Sequence, residues 1–185
     1  MRVIAGSLKG RRLKPPTWDG LRPTSDKLRE TLFNILAPRI AGARLLDGYA
    51  GTGAIGIEAI SRGAGSVTFV ESDRRACALI EENLADCGVK DGYAIIRATV
   101  ERAIDQLDAA AFGPYEQFDI VWLDPPYDEQ PDAVVQAAGV LIAAGGLLVL
   151  EHARRRRAAE TAGRLGRVRQ VTSGDSTLSF YEPNT

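Results

Sequence analysis

The stretch Leu45-Leu-Asp-Gly-Tyr-Ala-Gly-Thr-Gly-Ala-Ile-Gly56 decides the fold of this 185-residue chain. Its apolar start predicts a short buried strand, and the apolar residues after Gly53 predict a helix. Gly51 and Gly53 stand between the two elements, where glycine permits a tight turn and lets a ligand approach the backbone closely. A strand that passes through a glycine-rich turn into a helix is typical of nucleotide-binding α/β folds.

The alternation of strand and helix continues along the rest of the chain. We predict strands over 44–49, 66–71, 93–97, 118–123, 147–151, 167–172 and 177–182, and helices over 53–62, 74–87, 100–107, 132–142 and 154–165. Parallel strands need crossover connections, so these elements predict a parallel sheet covered on both faces. The last two strands are joined by a Ser-Gly-Asp turn and must be antiparallel. The pattern therefore predicts a seven-stranded mixed sheet of the Rossmann-like type.

The N-terminal segment differs from the remainder in charge. Residues 1–30 contain eight basic and three acidic residues, a net charge of +5, so the rest of the chain carries −6 against a total of −1. We predict a short hairpin over 2–13 and a helix capped by Thr24 or Ser25 that ends near Pro38. A basic arm on an acidic body indicates an anionic partner. Its predicted phosphate contacts are Arg11, Arg12 and Lys14.

Two acidic residues are expected to lie near the glycine turn. Glu71 ends the second strand, 20 positions after Gly51, where its carboxylate could accept hydrogen bonds from both ribose hydroxyls of a nucleoside. This spacing also fits a nicotinamide dinucleotide. Asp47 favours S-adenosylmethionine instead, because an acid before the turn suits a cationic ligand that carries an amino group. A pyrophosphate prefers bare amides at a helix N-terminus.

The motif Asp124-Pro-Pro-Tyr127 directly follows the predicted strand 118–123. Open α/β sheets place their ligands at this end of the strands, and the two prolines fix the backbone. Asp124 and the carbonyl of Pro125 can accept both hydrogens of a base amino group, which favours a pyramidal nitrogen with its lone pair toward the methyl donor. Pro126 rigidifies the turn, and Tyr127 offers a ring on which an extruded base can stack.

Four segments together resemble the RsmD-type small-subunit (16S) ribosomal RNA guanine-N2 methyltransferases. They are Arg22-Pro-Thr-Ser-Asp-Lys-Leu-Arg-Glu-Thr-Leu-Phe-Asn-Ile-Leu36, Ala50-Gly-Thr-Gly-Ala-Ile-Gly-Ile-Glu-Ala-Ile-Ser-Arg-Gly63, Phe69-Val-Glu-Ser-Asp73 and Leu123-Asp-Pro-Pro-Tyr127. The resemblance covers nearly the whole chain. It implies a class I S-adenosylmethionine-dependent methyltransferase fold with an added N-terminal hairpin that contacts RNA. It also implies one domain over 1–185, with residues 1–40 as the RNA-contacting part and 41–185 as the catalytic core.

The resemblance assigns roles to individual residues. It implies that Asp124 to Tyr127 hold the guanine, and similarity to amino-methyltransferases generally places Arg22 and Thr24 at the methionine carboxylate. The full predicted cofactor set is Arg22, Thr24, Asp47, Ala50, Gly51, Thr52, Gly53, Glu71, Ser72, Thr99 and Val100. The chain departs from the family pattern at the end of the third strand, which lacks the aspartate that often contacts the adenine amino group. Thr99 or the backbone of Val100 would take that role.

Composition and motifs restrict the remaining possibilities. No apolar run approaches the roughly 20 residues of a membrane span, and the N-terminus is not a signal peptide. We expect a cytoplasmic monomer with reduced Cys77 and Cys87, no metal, and ribosomal RNA, within an assembling small subunit, as its partner. Three alternatives stay open: a DNA adenine-N6 methyltransferase, an NAD-dependent oxidoreductase and a non-catalytic RNA-binding module. Arg154 to Arg157 could bind phosphates or form a solvated helix face, and Trp18 is a candidate for stacking on a base or sugar. His152 is expected to be structural or solvent-facing.

Overall fold

The computed structural model describes residues 1–18, 24–110, 117–126 and 131–184. In these ranges the helices are α1 (Asp26–Leu36), α2 (Ala54–Ser61), α3 (Arg74–Cys87), α4 (Val100–Ala110) and α5 (Pro131–Ala138). The strands are β1 (Arg44–Gly48), β2 (Ser66–Glu71), β3 (Tyr93–Arg97), β4 (Phe118–Leu123), β5 (Ile142–Ala153), β6 (Thr161–Ala162), β7 (Leu165–Ser173) and β8 (Ser176–Pro183). None of these helices combines the length and the apolar character that crossing a bilayer requires.

All eight strands join one sheet in the order β3-β2-β1-β4-β5-β8-β7-β6. The first five in this order are parallel, and β8 runs antiparallel to both β5 and β7. The predicted mixed sheet with an antiparallel last strand is confirmed, and the two-residue β6 adds one strand at the margin. We call the line along which β1 to β5 end the carboxyl edge. In open α/β sheets this edge is where ligands bind.

Helices cover both faces of the sheet, as parallel crossovers require. We call residues 1–18 the N-terminal arm. One core lies between the sheet and α1, α2 and α3, and it also contains Val3 and Leu13 of this arm. The second core lies between the other face and α4 and α5. Successive strand residues enter the two cores alternately, which explains why the central strands are apolar almost throughout.

The N-terminal arm packs against α2 and α3 rather than standing free. A single antiparallel bridge pairs Arg2 with Arg12, so the predicted hairpin is present in minimal form. Both carboxylate oxygens of the buried Glu58 accept hydrogen bonds from backbone amides of the arm, from Ile4 at 2.7 Å and Ala5 at 3.0 Å. The buried Arg29 of α1 donates to the carbonyl of Arg2 at 2.8 Å. These contacts fix the arm on the face that carries the first core.

The sequence predicted a helix over 154–165, and this prediction is wrong. Residues 154–160 form a turn followed by irregular backbone, and Thr161–Ala162 pairs with Leu165–Gly166 as a tight hairpin through Gly163, whose φ is +59°. The amide of Arg154 donates to the carbonyl of Asp175, so tertiary bonds replace the intrahelical ones. The helix predicted over 132–142 also ends early, because Gly139–Leu141 is a 3-10 turn and Ile142 already belongs to β5.

Gly56 brings α2 close to β2. A Cβ at this position would lie 2.2 Å from Cε1 of Phe69 and 2.8 Å from Cγ1 of Val67. We therefore expect Gly56→Ala to lower the free energy of unfolding by about 1–3 kcal/mol, as overpacking does in other cores. Gly139→Ala is the control, since its Cβ would meet ordinary contacts at 3.5 Å. Urea denaturation of the two variants checks this, and equal midpoints would contradict the proposed packing.

Candidate active site at the carboxyl edge

The glycine turn between β1 and α2 is built from three residues with positive φ. Tyr49, Gly51 and Gly53 have φ values of +62°, +56° and +77°. Side chains rarely tolerate this region, so Gly51 and Gly53 relieve the strain while Tyr49 retains it. The amide of Ala50 donates to the carbonyl of Val70 at 2.9 Å, which ties the turn to the end of β2. The turn thus presents a fixed backbone surface at the carboxyl edge.

Glu71 connects the turn to the second strand. One carboxylate oxygen accepts from the amide of Gly51 at 2.9 Å, and the other accepts from the amide of Asp73 at 2.9 Å. The side chain is only partly buried, so the remaining lone pairs of its oxygens can reach a ligand. Its position beside Gly51 agrees with the spacing of 20 residues in the sequence. The geometry is suitable for accepting hydrogen bonds from ribose hydroxyls.

Asp47 lies beneath the turn and is almost fully buried. One carboxylate oxygen accepts from the amide of Gly56 at 2.9 Å and so caps the first turn of α2. Burial raises the pKa of Asp47 to about 8, and the charge of Glu71 adds to the rise. Asp47 is therefore a buried support of the turn.

Asp124 and Glu151 lie on neighbouring strands at the same level. Leu123 of β4 pairs with Leu150 of β5, so the next residue on each strand is one of the two acids. Neighbouring strands are about 4.8 Å apart, which brings the two carboxyl groups close together. Burial raises the pKa of both groups, and the negative charge of Glu151 raises that of Asp124 further. Hydroxyl groups of Ser176 and Thr24 contact Glu151 and oppose its shift.

Glu151 keeps an unpaired acceptor in this buried position. Its side chain is 7% exposed, and its Oε2 atom has no hydrogen-bond partner among the described residues. A buried carboxylate oxygen without a donor is costly, and such a group is typical of a ligand-binding site. Nothing in the sequence indicated this residue's importance, because only the register of β4 and β5 places it beside Asp124. It is the most important residue that sequence reasoning missed.

The buried acids make the stability of the protein depend on pH. The folded Asp47 holds its proton up to about pH 8, whereas the ordinary aspartate value is 3.8. The unfolded chain loses this proton first, so stability falls as the pH rises between these two values. We expect Asp47→Asn to reduce the loss of stability between about pH 5 and about pH 8. Urea midpoints at both pH values check this, with the exposed Asp105→Asn as control; an unchanged slope would contradict it.

The other predicted cofactor residues occupy different parts of the edge. Ala50 and Thr52 are buried in the turn, Ser72 is exposed beside Glu71, and Val100 packs beneath Gly48. The hydroxyl of Thr99 accepts weakly from the amide of Arg102 at 3.4 Å at the start of α4. Thr24 lies beside Glu151, just before the start of α1. Arg22 and Tyr127 lie outside the described residues.

Two of the three residues predicted to contact phosphates, Lys14 and Arg11, lie beside α3. The ammonium of Lys14 contacts carboxylates of Glu82 at 2.5 Å and Asp86 at 2.9 Å, so it already has two anionic partners. Arg11 and Arg12 are exposed. Burial raises the pKa of Cys87 and the charge of Arg11 opposes this rise, so Arg11 lies near the C-terminal end of α3, away from the carboxyl edge. Its role as a phosphate contact stays a prediction.

A second residue that sequence reasoning missed joins the arm to the turn. The buried amide side chain of Asn83 accepts from the amide of Lys14 at 2.7 Å and donates to the carbonyl of Thr52 at 3.0 Å. Further along, the guanidinium of Arg75 lies 4.9 Å from the centre of the Trp18 ring. The arm thus follows α3 toward the carboxyl edge. Trp18 already stacks on Arg75 on one face.

Taken together, the edge presents four carboxyl groups, those of Asp47, Glu71, Asp124 and Glu151. Their charges influence one another, since Glu71 acts on Asp47, and Asp47 and Glu151 act on Asp124. Such a site favours a cationic ligand and hydrogen-bond donors.

His152 is structural as expected: it is buried, and its Nε2 lies 2.9 Å from the hydroxyl of Ser179. Within the described ranges, no cluster of His, Cys, Asp or Glu is arranged to hold a metal ion.

Comparison with known proteins identifies the family. The family model described as "conserved hypothetical protein 95" matches residues 1–182. YlbH of Bacillus subtilis strain 168, whose name assigns it provisionally to the rRNA methyltransferases, is 37% identical over 188 aligned positions that cover 98% of both chains. The ribosomal RNA small subunit methyltransferase D of Escherichia coli K12 is 44% identical over 127 residues, 69% of this chain. The chain belongs to the RsmD family.

The fold comparison agrees with this membership. A hypothetical protein of Thermus thermophilus has 30% sequence identity and a TM-score of 0.83, over 98% of this chain and 99% of that one. The match to the E. coli RsmD protein covers only 60% of that protein's length. The match to YlbH covers 98% of the length of YlbH. The similarity to this solved structure extends over nearly the whole chain, in agreement with the class I methyltransferase fold.

Proposed function

We propose that the protein transfers a methyl group from S-adenosylmethionine to the N2 amino group of a guanine in small-subunit ribosomal RNA. One observation carries this proposal. Gly48 and Leu123 are paired residues at the ends of β1 and β4, so the glycine turn and Asp124-Pro-Pro start side by side. The first suits a nucleoside cofactor and the second a base amino group. A methyl group can then pass between two neighbouring loops.

The residues at the edge fit S-adenosylmethionine better than NAD. When bound, this cofactor supplies an electrophilic methyl group on a sulfonium centre. The carboxyl groups of Asp124 and Glu151, whose ionisation a nearby cation would favour, suit a sulfonium and an ammonium group better than a pyrophosphate. Glu71 is placed to accept from the ribose, and Gly51 and Gly53 leave the backbone open to close approach. The family relatives named as methyltransferases support the same choice.

Asp124 and the carbonyl of Pro125 would activate the amino group. Each accepts one amino hydrogen, which holds the nitrogen with its lone pair toward the methyl. This orientation would let the nitrogen attack the methyl group that bound S-adenosylmethionine would supply. The product nitrogen is then positively charged and loses a proton. Asp124 is suited to accept this proton, because burial and Glu151 raise the pKa of its carboxyl group.

The unpaired oxygen of Glu151 favours guanine over adenine. Guanine presents its N1–H beside the N2 amino group, so two neighbouring acceptors match two neighbouring donors. Adenine presents an acceptor, N1, beside its N6 amino group, which would leave a buried carboxylate facing a lone pair. A site that requires a donor discriminates strongly against a base that lacks it. Asp124 and Glu151 side by side therefore support the guanine-N2 reaction over adenine-N6 methylation.

Replacing the target guanine with 2-aminopurine tests the role of Glu151, because this base keeps the amino group and lacks N1–H. Once the target nucleotide is mapped, we expect the protein to methylate the 2-aminopurine substrate about 10–100-fold more slowly than the guanine substrate. We expect Glu151→Ala to lose most of this discrimination and Glu151→Gln, which keeps an acceptor, to retain part of it. Equal discrimination by the protein and Glu151→Ala would contradict the assignment.

Two measurements test the function as a whole. Calorimetry should show binding of S-adenosylhomocysteine and none of NAD, and purified protein should transfer labelled methyl groups to small-subunit ribosomal RNA. Binding of NAD in preference to S-adenosylhomocysteine would favour the oxidoreductase alternative. Binding of the cofactor and of RNA without transfer to either naked RNA or particles would favour the non-catalytic module.

We also propose that the protein acts as a monomer on RNA within a partly assembled small subunit. Among the described residues, the exposed large hydrophobic side chains are Val140 and Val168, which are not enough to form an extensive apolar interface. Comparing methyl transfer to naked transcript and to assembling particles, and measuring the mass in solution by light scattering, checks the two parts separately.

A further inference from the structure

A second basic surface borders the carboxyl edge, formed by the segment wrongly predicted as a helix. A cleft of about 650 Å³ lies between residues 152–160 and strands β7 and β8. The described residues that line it include the arginines Arg154, Arg156, Arg157 and Arg167 against a single acid, Glu160. Glu160 is 89% exposed and lies 3.6 Å from Arg167, so it neutralises little of this charge. The charged side chains that line the cleft thus sum to +3, four arginines against one glutamate, in a protein whose net charge is −1.

The fold explains how the arginines come to face one space. Arg167 donates to the carbonyls of Ala158 and Ala159, and the amide of Arg154 donates to that of Asp175. These bonds bend residues 154–160 over the sheet instead of letting them coil as a helix. Arg154 and Arg157 lie exposed at the rim, while Arg167 is largely buried below them. The charge is thus held at a fixed place by backbone hydrogen bonds.

The cleft is also close to the proposed reaction centre. Residues 154–160 directly follow the carboxyl end of β5, the strand that carries Glu151 and His152, so the cleft adjoins the carboxyl edge although these two side chains point to opposite faces of the sheet. Glu151 contributes to the acidic site beside Asp124, while His152 lines the cleft. Arg11 lies near Cys87 at the C-terminal end of α3, at the edge of the sheet opposite the carboxyl edge. Phosphates next to a base held at Asp124 would therefore meet the cleft before they met Arg11.

We propose that this cleft binds backbone phosphates of the substrate RNA that flank the methylated base. The inference rests on the proposed function, since it assumes that the base at Asp124 belongs to a polynucleotide. Arginine is well suited to this contact, because its guanidinium binds phosphate oxygens bidentately. The volume of the cleft is within the range of small-ligand pockets, which is enough for a phosphate and its sugar.

The test is the salt dependence of RNA binding by the double variant Arg154→Ala/Arg157→Ala. The probes are a labelled transcript of small-subunit ribosomal RNA and small-subunit particles that contain it. We expect affinity to fall about tenfold, and the slope of log K against log salt concentration to shrink by about 0.7 for each lost contact. Arg154→Lys/Arg157→Lys should restore most of the slope, since the charges remain.

The matched control is Lys90→Ala/Arg169→Ala, which removes two positive charges from exposed positions outside the cleft. Its slope should equal that of the unaltered protein, and all variants should bind S-adenosylhomocysteine and melt as the unaltered protein does. An unchanged slope in Arg154→Ala/Arg157→Ala, or an equal loss in the control, would overturn the inference. A loss seen with particles but not with the transcript would also overturn it, because the partner would then be a protein. If the unaltered protein bound neither probe, the proposed function itself would fail.

Discussion

Asp124→Ala should lower the rate of methyl transfer by at least about a hundredfold and leave the affinity for S-adenosylhomocysteine within about threefold of its original value. The reason is the position of Asp124 after β4, where it would contact the substrate amino group and not the cofactor ribose. Removing it takes away one of two acceptors for the amino hydrogens and the acceptor of the released proton. Single-turnover kinetics and calorimetry measure the two effects separately.

Asp124→Asn makes this prediction more specific. Asparagine keeps a carbonyl acceptor but cannot accept the proton, so it should retain more activity than alanine. Burial raises the pKa of Asp124 and Glu151. The rate of methyl transfer by the unaltered protein should therefore rise with pH as these two carboxyl groups ionise. This dependence should weaken in Asp124→Asn. Full activity in Asp124→Ala would remove Asp124 from the mechanism.

Glu71→Ala should weaken the binding of S-adenosylhomocysteine by about 10–150-fold, the effect of about 1.5–3 kcal/mol for a hydrogen bond to a charged group. Glu71 is the acid that the glycine turn holds in place, through the amide of Gly51 at 2.9 Å. The loss has two sources, since the ribose loses its acceptor and the turn loses a hydrogen bond. Calorimetry gives the affinity, and thermal melting shows how far the turn has loosened.

Two further variants separate these sources. Glu71→Gln keeps an oxygen acceptor and should bind more tightly than Glu71→Ala. Glu81→Ala removes an exposed acid of the same type from α3 and should leave affinity unchanged. If Glu71→Ala bound S-adenosylhomocysteine as well as the Glu81→Ala control did, the assignment of Glu71 to the ribose would be wrong.

The local pattern of the sequence was sufficient for most of the fold. The predicted bounds of β2, α3, β3 and β4 match the observed bounds, because each of these elements has clear periodicity or a glycine or acidic residue at its end. The Asp73 side chain caps α3, and Gly88 with a φ of +80° ends it. Such signals act within a few residues of the chain. The glycine turn between β1 and α2 could be recognised for the same reason.

The segment 154–165 shows where local signals are not sufficient. Arginine and alanine have high helix propensity, but propensity is a weak preference that tertiary contacts can override. Here the amide of Arg167 donates to the carbonyl of Glu160, and Thr161–Ala162 pairs with β7. These partners are fixed by the position of β7 beside β8. Nothing in the sequence around residue 154 indicates that β7 lies beside β8.

The site shows the same contrast between residues that local sequence signals reveal and residues that only tertiary contacts reveal. Asp47, Glu71 and Asp124 could be found because each stands at the end of a predictable strand. Glu151 could not be singled out, because its importance comes from the pairing of Leu123 with Leu150 and from its unpaired Oε2 atom. Asn83 escaped notice because it links Lys14 and Thr52, which are far apart in the chain. Residues that act through register or long-range hydrogen bonds need the structure.

The identity of the methylated nucleoside tests the central claim most directly. Small-subunit particles from cells that lack this protein would be incubated with the purified protein and isotopically labelled S-adenosylmethionine, and the digested RNA would be analysed by mass spectrometry. We predict labelled N2-methylguanosine at one position, absent when Asp124→Ala replaces the unaltered protein. Label in N6-methyladenosine, or no label in RNA while DNA is methylated, would contradict the proposed reaction.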